Sequence, residues 1–89
     1  MKKAFQMQVE GRVQGVGFRY YTQARAREAG VFGFVKNMPD GSVYIEAEGE
    51  EEAMERFSVW CRQGPAWAKV TRFNLNPQPP CGYTCFEIR

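Results

Sequence analysis

The amino-acid sequence predicts an α+β fold, a ferredoxin-like split βαβ sandwich. Residues 4–10 and 42–49 alternate apolar and polar residues, residues 31–37 and 70–75 are further predicted strands, and two other segments carry apolar residues at helical spacing. The order is strand, helix, strand, strand, helix, strand. We expect an antiparallel four-stranded sheet, plus a short C-terminal strand, with both helices on one face. Residues 1–89 are expected to form a single domain.

The first two elements are a strand and a helix. Residues 4–10 alternate, with Phe5, Met7 and Val9 on one side, which predicts a half-buried strand. A helix is predicted over residues 18–29, and Gly30 is placed to end it in the left-handed conformation. The apolar stripe of this helix is expected to hold Phe18, Tyr21 and Ala29, with Thr22 or Ala26 between them.

A β-hairpin is predicted next. Its strands are residues 31–37 and 42–49, and the Asp40-Gly41 pair between them is a strong turn signal. In the second strand alternate residues face the core, namely Val43, Ile45 and Ala47. The turn accounts for Asp40, which we therefore do not expect to act as a base.

The remaining elements are a helix and two strands. The helix is predicted over residues 50–63 and ends at Gly64, with an inward stripe of Ala53, Phe57, Trp60 and Cys61. A strand is predicted over residues 70–75, and a Pro-rich loop links it to a short strand within residues 84–89. Trp60 and Trp67 are expected to pack in the core and in a loop.

Composition and cysteine usage restrict the class of protein. Apolar residues make up 44% and charged residues 25%, as in globular chains, and no run of eighteen apolar residues could span a membrane. The first residues alternate in polarity, so we expect no secretion signal and a cytoplasmic protein. Histidine is absent and cysteine occurs three times, too few ligands for a closed zinc site. Cys81 and Cys85 could pair only in an oxidising setting.

Charge is distributed unevenly along the chain. The net charge is +2, but residues 1–37 hold seven basic and two acidic groups, whereas residues 38–55 hold seven acidic groups and no basic one. The N-terminal part could attract a small anion, but the whole chain lacks the positive field of a nucleic-acid binder. Glu50–Glu52 are expected to form a first helical turn, where acidic residues are favoured.

The string "FGFVK" at residues 32–36 resembles part of an RNA-binding signature. It matches the third to seventh positions of the octamer of the RNA-recognition motif, K/R-G-F/Y-G/A-F-V-x-F/Y. The eighth position should be aromatic and is Asn37, and the first two positions do not fit. The octamer also belongs on the third strand, whereas this string lies on the second. We therefore expect Phe34 to pack inside the protein rather than to stack on a base.

The loop "GRVQGVGFR", residues 11–19, predicts an anion site. Its glycines at 11, 15 and 17 permit backbone angles that other residues resist, and it lies between a strand and the N-terminus of a helix. Backbone N–H groups in such a loop can form an anion-binding nest, supported by the helix dipole and by the guanidinium of Arg19. From the residues alone, a phosphate site and a plain glycine-rich turn remain open. Arg12 is expected to be a solvated loop residue.

Two motifs together resemble the paired signature of the acylphosphatase family. They are "GRVQGVGFR", residues 11–19, and "GFVKNMPDGSV", residues 33–43, and the likeness runs from Val9 to the terminal "FEIR". The departures are mild, since Phe34 stands where tryptophan is common and Ala29 where leucine is common. The resemblance implies a single acylphosphatase-like domain over residues 1–89.

The resemblance also implies an activity and roles for named residues. The activity is hydrolysis of an acyl phosphate, a small-molecule substrate, to a carboxylate and inorganic phosphate, which would also inhibit. Arg19 would bind the phosphate and Asn37 would hold the attacking water. The phosphate-binding loop would comprise Gln14, Gly15, Val16, Gly17, Phe18 and Arg19. No cofactor, metal, nucleic acid or membrane is expected, and the protein is expected to be a monomer. Two alternatives stay open, a catalytically silent anion-binding domain and an RNA-binding module.

Overall fold

The computed structural model describes all residues, 1–89, and places two helices on one face of a five-stranded sheet. The elements are β1 (Lys2–Arg12), α1 (Phe18–Ala29), β2 (Phe32–Asn37), β3 (Val43–Glu50), α2 (Glu51–Gln63), β4 (Lys69–Gln78) and β5 (Phe86–Ile88). The predicted ferredoxin-like architecture is confirmed, and the bounds of α1 are those predicted. Neither helix is both long and apolar enough to cross a lipid bilayer.

The sheet has the strand order β4-β1-β3-β2-β5. The four long strands pair antiparallel, as predicted, but β5 runs parallel to β2, so the sheet is not wholly antiparallel. The pairing of β5 is short, from Gly33 opposite Phe86 to Val35 opposite Ile88. It places the end of the chain beside β2, the strand that ends at Asn37.

The two strands at the opposite edge are longer than predicted. β1 includes Gly11 and Arg12, which the sequence analysis placed in the loop, and its register with β4 shifts between Glu10 and Gly11. A side chain at Gly11 would clash with the backbone of β4, so this glycine serves a β-bulge and not the anion loop. β4 continues through Pro77, which an edge strand tolerates because one side of it needs no partner.

The core lies between the helices and the sheet. Met7 and Val9 of β1 are buried there, and Phe5 packs partly buried against them. On α1 the buried residues are Phe18, Thr22 and Ala26. Tyr21, predicted to face inward, is 46% exposed, because the stripe follows the four-residue spacing of residues 18, 22 and 26.

The second helix follows its predicted stripe with two differences. Ala53, Phe57 and Cys61 are buried as expected, but Met54 is buried as well and Trp60 is only half-buried. Glu51 and Glu52 occupy the first turn, as predicted from the charge pattern. The predicted packing of Trp67 in a loop is wrong, since its side chain is 79% exposed.

The sheet face opposite the helices carries a polar cluster that forms hydrogen bonds with the loop before β5, at residues 81–83. Glu48 of β3 is fully buried, and its carboxylate accepts hydrogen bonds from the backbone N–H groups of Cys81, Gly82 and Tyr83 at 2.6–3.1 Å. The Glu46 carboxylate accepts hydrogen bonds from the hydroxyl groups of Tyr44 and Tyr83. These bonds hold the loop before β5 against the sheet and thereby help to seat β5 beside β2.

Candidate active site

A small cavity opens where the loop after β1 meets the start of α1 and the end of β2. Its volume is about 200 Å³. It is lined by Val13, Gly15, Gly17, Phe18, Arg19, Tyr20, Asn37 and Ile88. The structure thus brings together the two residues that the sequence analysis singled out, Arg19 and Asn37, although eighteen positions separate them in the chain.

The loop at this cavity presents free backbone N–H groups. Gly15 and Gly17 have left-handed backbones, with φ of 74° and 80°, a conformation that glycine adopts without strain. None of the backbone N–H groups of residues 14–20 donates a hydrogen bond to a backbone or side-chain acceptor of the protein. α1 begins at Phe18 with neither a side-chain cap nor an acidic residue in its first turn. The partial positive charge of the helix end is therefore left for an anion.

The side chain of Gln14 fastens this loop to the β2–β3 turn. Its amide nitrogen donates to the carbonyl oxygens of Met38 at 2.8 Å and Ser42 at 2.9 Å. Those two residues flank the turn that directly follows Asn37. Gln14 thus fixes the loop relative to Asn37 through its side chain, a role that sequence reasoning missed because the partners are 24 and 28 residues away.

Arg19 is half-buried at the edge of the cavity. It takes part in none of the five ion pairs of the protein. Its Nη1 makes one long hydrogen bond, of 3.5 Å, to the backbone carbonyl oxygen of Arg89 beyond β5. The guanidinium therefore keeps most of its donors and its full charge for a ligand.

Asn37 is the last residue of β2, and the strand fixes its position. Its backbone lies opposite Val43 of β3, and its side chain is half-buried. The hydrogen bonds around the following turn run among Gln14, Met38, Asp40 and Ser42 and leave the Asn37 amide free. An amide in this position can both donate to and accept from a small molecule in the cavity.

Asp40 serves the turn, as predicted. Its Oδ1 accepts hydrogen bonds from the hydroxyl group of Ser42 at 2.6 Å and from the Ser42 N–H at 2.9 Å. Both hydrogen bonds lower the pKa of the Asp40 carboxyl group, and the bond from the hydroxyl group has the larger effect. Asp40 does not line the cavity, nor do Arg12, Trp60 and Trp67.

The structure does not favour the RNA-binding interpretation of "FGFVK". Phe34 is 5% exposed and, as expected, packs inside the protein. It does so on the sheet face away from the helices, between the rings of Tyr44 and Tyr83 at 5.9 and 6.0 Å, with the Arg89 guanidinium 4.2 Å from its ring centroid. A base could stack on Phe34 only by displacing these neighbours.

The side chains around the cavity are not those that hold a metal ion. No imidazole, carboxylate or thiol group is among them, and no cluster of three such groups occurs in the structure. All three cysteines are free. Cys81 and Cys85 are exposed in the C-terminal loop, and burial raises the pKa of the Cys61 thiol.

Fold and cavity together define a small α+β sandwich protein with a glycine-rich, anion-receptive loop at a helix N-terminus. The family model described as Acylphosphatase matches residues 5–88. The chain belongs to the acylphosphatase family, whose known activity is the hydrolysis of acyl phosphates. The predicted family and enzyme class are thereby confirmed.

Individual relatives agree with this assignment. An acylphosphatase of Thermotoga maritima is 49% identical over 87 residues, which cover 98% of this chain and 97% of the relative. The crystal structure of acylphosphatase from Bacillus subtilis matches with a TM-score of 0.94 and 39% identity and covers 100% of this chain and 99% of that one. A structure of full-length HypF, in a phosphate- and nucleotide-bound form, matches with a TM-score of 0.92 and 30% identity, but only 12% of that chain is covered.

Proposed function

We propose that this protein hydrolyses an acyl phosphate to a carboxylate and inorganic phosphate within the cavity beside α1. The loop of residues 14–19 and Arg19 would hold the phosphoryl group, and Asn37 would orient the attacking water. The observation that carries this proposal is the meeting of unpaired backbone N–H groups, a guanidinium that forms no ion pair and a free amide around one cavity of about 200 Å³. Residues 1–89 would act as a single acylphosphatase-like domain.

The phosphoryl group is the part of the substrate that the loop suits best. Its oxygens are strong acceptors, and the loop offers N–H groups that have no acceptor in the protein. The helix end and Arg19 add positive charge, and no acidic residue lines the cavity to oppose it. The same groups would stabilise the charge on the equatorial oxygens as the transition state forms.

Asn37 also lines the cavity, but it belongs to β2, whereas Arg19 belongs to α1. Its free amide can donate one hydrogen bond to the water and accept another from it. Two such bonds would fix the direction of the water lone pair relative to phosphorus. This alignment provides a proximity advantage without a charged base.

An acyl phosphate needs little further chemistry. Its leaving group is a carboxylate, which is stable at neutral pH, so no general acid is required. The proton of the attacking water can pass to a phosphoryl oxygen of the substrate. Since the lining side chains are poor metal ligands and Arg19 supplies positive charge, we propose a metal-independent reaction without a cofactor.

Further parts of the proposal concern ligands, assembly and location. Inorganic phosphate, the product, should compete with the substrate because it fits the same N–H groups. We propose a monomer in the cytoplasm that acts on a small molecule and on neither nucleic acid nor membranes. The mixed charge of the surface and the covered face of Phe34 support the exclusion of nucleic acid.

The test is hydrolysis of benzoyl phosphate with and without a chelator. We expect turnover that survives the chelator and phosphate inhibition that is competitive. Arg19→Gln should abolish measurable turnover, because it removes a charged contact worth about 1.5–3 kcal/mol before transition-state effects. Arg27→Gln, on the exposed side of α1, is the matched control and should retain activity. Phosphate binding without turnover in the wild type would instead identify a silent anion-binding domain.

A further inference from the structure

Two exposed apolar side chains lie at the mouth of the polar cavity. Only six large hydrophobic residues of the protein are exposed, and two of them, Tyr20 at 64% and Ile88 at 40%, line this one cavity. Neither belongs to the buried core cluster. Single exposed apolar residues need no explanation, but two that converge on one site from different elements do.

The packing of Tyr20 leaves its ring available. Its only aromatic neighbour is Tyr21, met edge-on with the centroids 5.2 Å apart and the planes at 79°. Its hydroxyl group makes no hydrogen bond within the protein. Tyr20 follows Arg19 directly in the first turn of α1, so it lines the cavity next to the proposed phosphate-binding loop.

Ile88 lines the same cavity but belongs to β5, near the C-terminal end of the sequence. It pairs with Val35 through the parallel β5–β2 ladder, which places it two residues along β2 from Asn37. We propose that Tyr20 and Ile88 form an acyl wall, an apolar surface that receives the acyl group of the substrate, so that the enzyme favours acyl phosphates with a bulky apolar acyl group. This inference rests on the function proposed above.

The geometry of the substrate supports the acyl wall. The N–H groups, Arg19 and Asn37 account for the phosphoryl group and the water, and the acyl carbon is joined to phosphorus through a single oxygen. Any part of the acyl group that stays within the cavity meets the rest of the lining, and the exposed side chains there, Tyr20 and Ile88, are apolar. A larger groove beside Tyr21 and Trp67, of about 450 Å³, contains neither Arg19 nor Asn37 and so cannot serve this purpose.

The experiment compares kcat/KM for benzoyl phosphate and acetyl phosphate in each variant. Relative to wild type, the benzoyl-to-acetyl ratio should fall about 3- to 10-fold in Tyr20→Ala and by a similar factor in Ile88→Ala. The loss should appear mainly as a higher KM for benzoyl phosphate. Dividing by the wild-type ratio removes the different intrinsic reactivities of the two substrates.

Matched controls are available elsewhere on the protein surface. Trp67→Ala and Val59→Ala remove exposed apolar side chains that do not line the cavity, and both should keep the wild-type ratio. Tyr20→Phe should also keep it, because the ring and not the hydroxyl group makes the contact. An unchanged ratio in both Tyr20→Ala and Ile88→Ala, or an equal fall in the controls, would overturn the acyl wall.

A binding measurement separates this inference from the proposed activity. By calorimetry, wild type should bind phenylphosphonate about 3- to 10-fold more tightly than methylphosphonate, and Tyr20→Ala should lose that difference. Equal affinities in the wild type would overturn the acyl wall even if hydrolysis is normal. If the wild type hydrolyses neither acyl phosphate, the proposed function fails, whereas the calorimetric comparison still decides whether the wall selects apolar groups.

Discussion

Replacing Asn37 by alanine is the perturbation that isolates the water-positioning step. The residue ends β2, where its backbone is held opposite Val43, so the strand should not change. Its amide makes no hydrogen bond that the protein would lose, since the bonds of the adjacent turn run among other residues. We therefore expect the free energy of unfolding to change by no more than about 0.5 kcal/mol.

The expected effect on catalysis is large by comparison. Removal of one well-placed polar group from such a site costs roughly 10²–10³ in kcat, or about 2.7–4 kcal/mol of transition-state stabilisation. The phosphate contacts of the loop and of Arg19 remain in place. The inhibition constant of phosphate should therefore stay within about 2-fold of wild type, and the loss should fall on kcat.

The assay is steady-state hydrolysis of benzoyl phosphate with phosphate as the competing inhibitor. Asn74→Ala is the matched control, because Asn74 is exposed on the edge strand β4 and lies outside the cavity. It should retain wild-type kcat. An Asn37→Ala enzyme with normal kcat, or one that fails only in phosphate affinity, would refute the assigned role.

Three further predictions concern the supports of the site and the sheet. Gln14→Ala should lower kcat about 10-fold, because the loop loses the two hydrogen bonds that fix it to the turn after Asn37; kinetics at saturating benzoyl phosphate will measure this. Glu48→Ala should destabilise the protein by about 2–4 kcal/mol in urea unfolding, since three backbone N–H groups lose their charged acceptor. Burial, and to a lesser extent the hydrogen bond to Glu46, raises the pKa of Tyr44 to about 12. The contribution of neutral Tyr44 to the free energy of unfolding should therefore be complete below pH 10 and decrease as the pH rises towards 12. In Tyr44→Phe the free energy of unfolding should decrease less between pH 10 and pH 12 than in the wild type.

Local signals in the sequence were sufficient for most of the fold. The helix over residues 18–29 was predicted with its observed bounds because its apolar spacing and Gly30 act within a few residues. The hairpin was predicted for the same reason, from the Asp40-Gly41 turn signal and the alternation of the strand that follows it. The loop and Arg19 were recognisable because glycines cluster just before the helix.

The features that the sequence did not indicate depend on contacts between distant residues. The parallel pairing of β5 and the bulge at Gly11 are set by neighbouring strands, which no short pattern specifies. Tyr21 was wrongly predicted to face inward because residues 21 and 22 can both share a helix face with Phe18. Packing against the sheet decides that Thr22 is the buried one. The side-chain bonds of Gln14 and the convergence of Tyr20 with Ile88 likewise required the folded chain.

A titration of the ¹⁵N-labelled protein with inorganic phosphate, followed by amide chemical shifts, tests the central claim most directly. The claim is that the unpaired backbone N–H groups of residues 14–19 form the phosphate site. Saturable shifts should concentrate at these amides and extend to the Arg19 side chain. The amides of residues 74–78, at the end of β4 that pairs with the start of β1, should stay unchanged. Shifts confined to other surfaces, or none at phosphate concentrations that inhibit hydrolysis, would contradict the account.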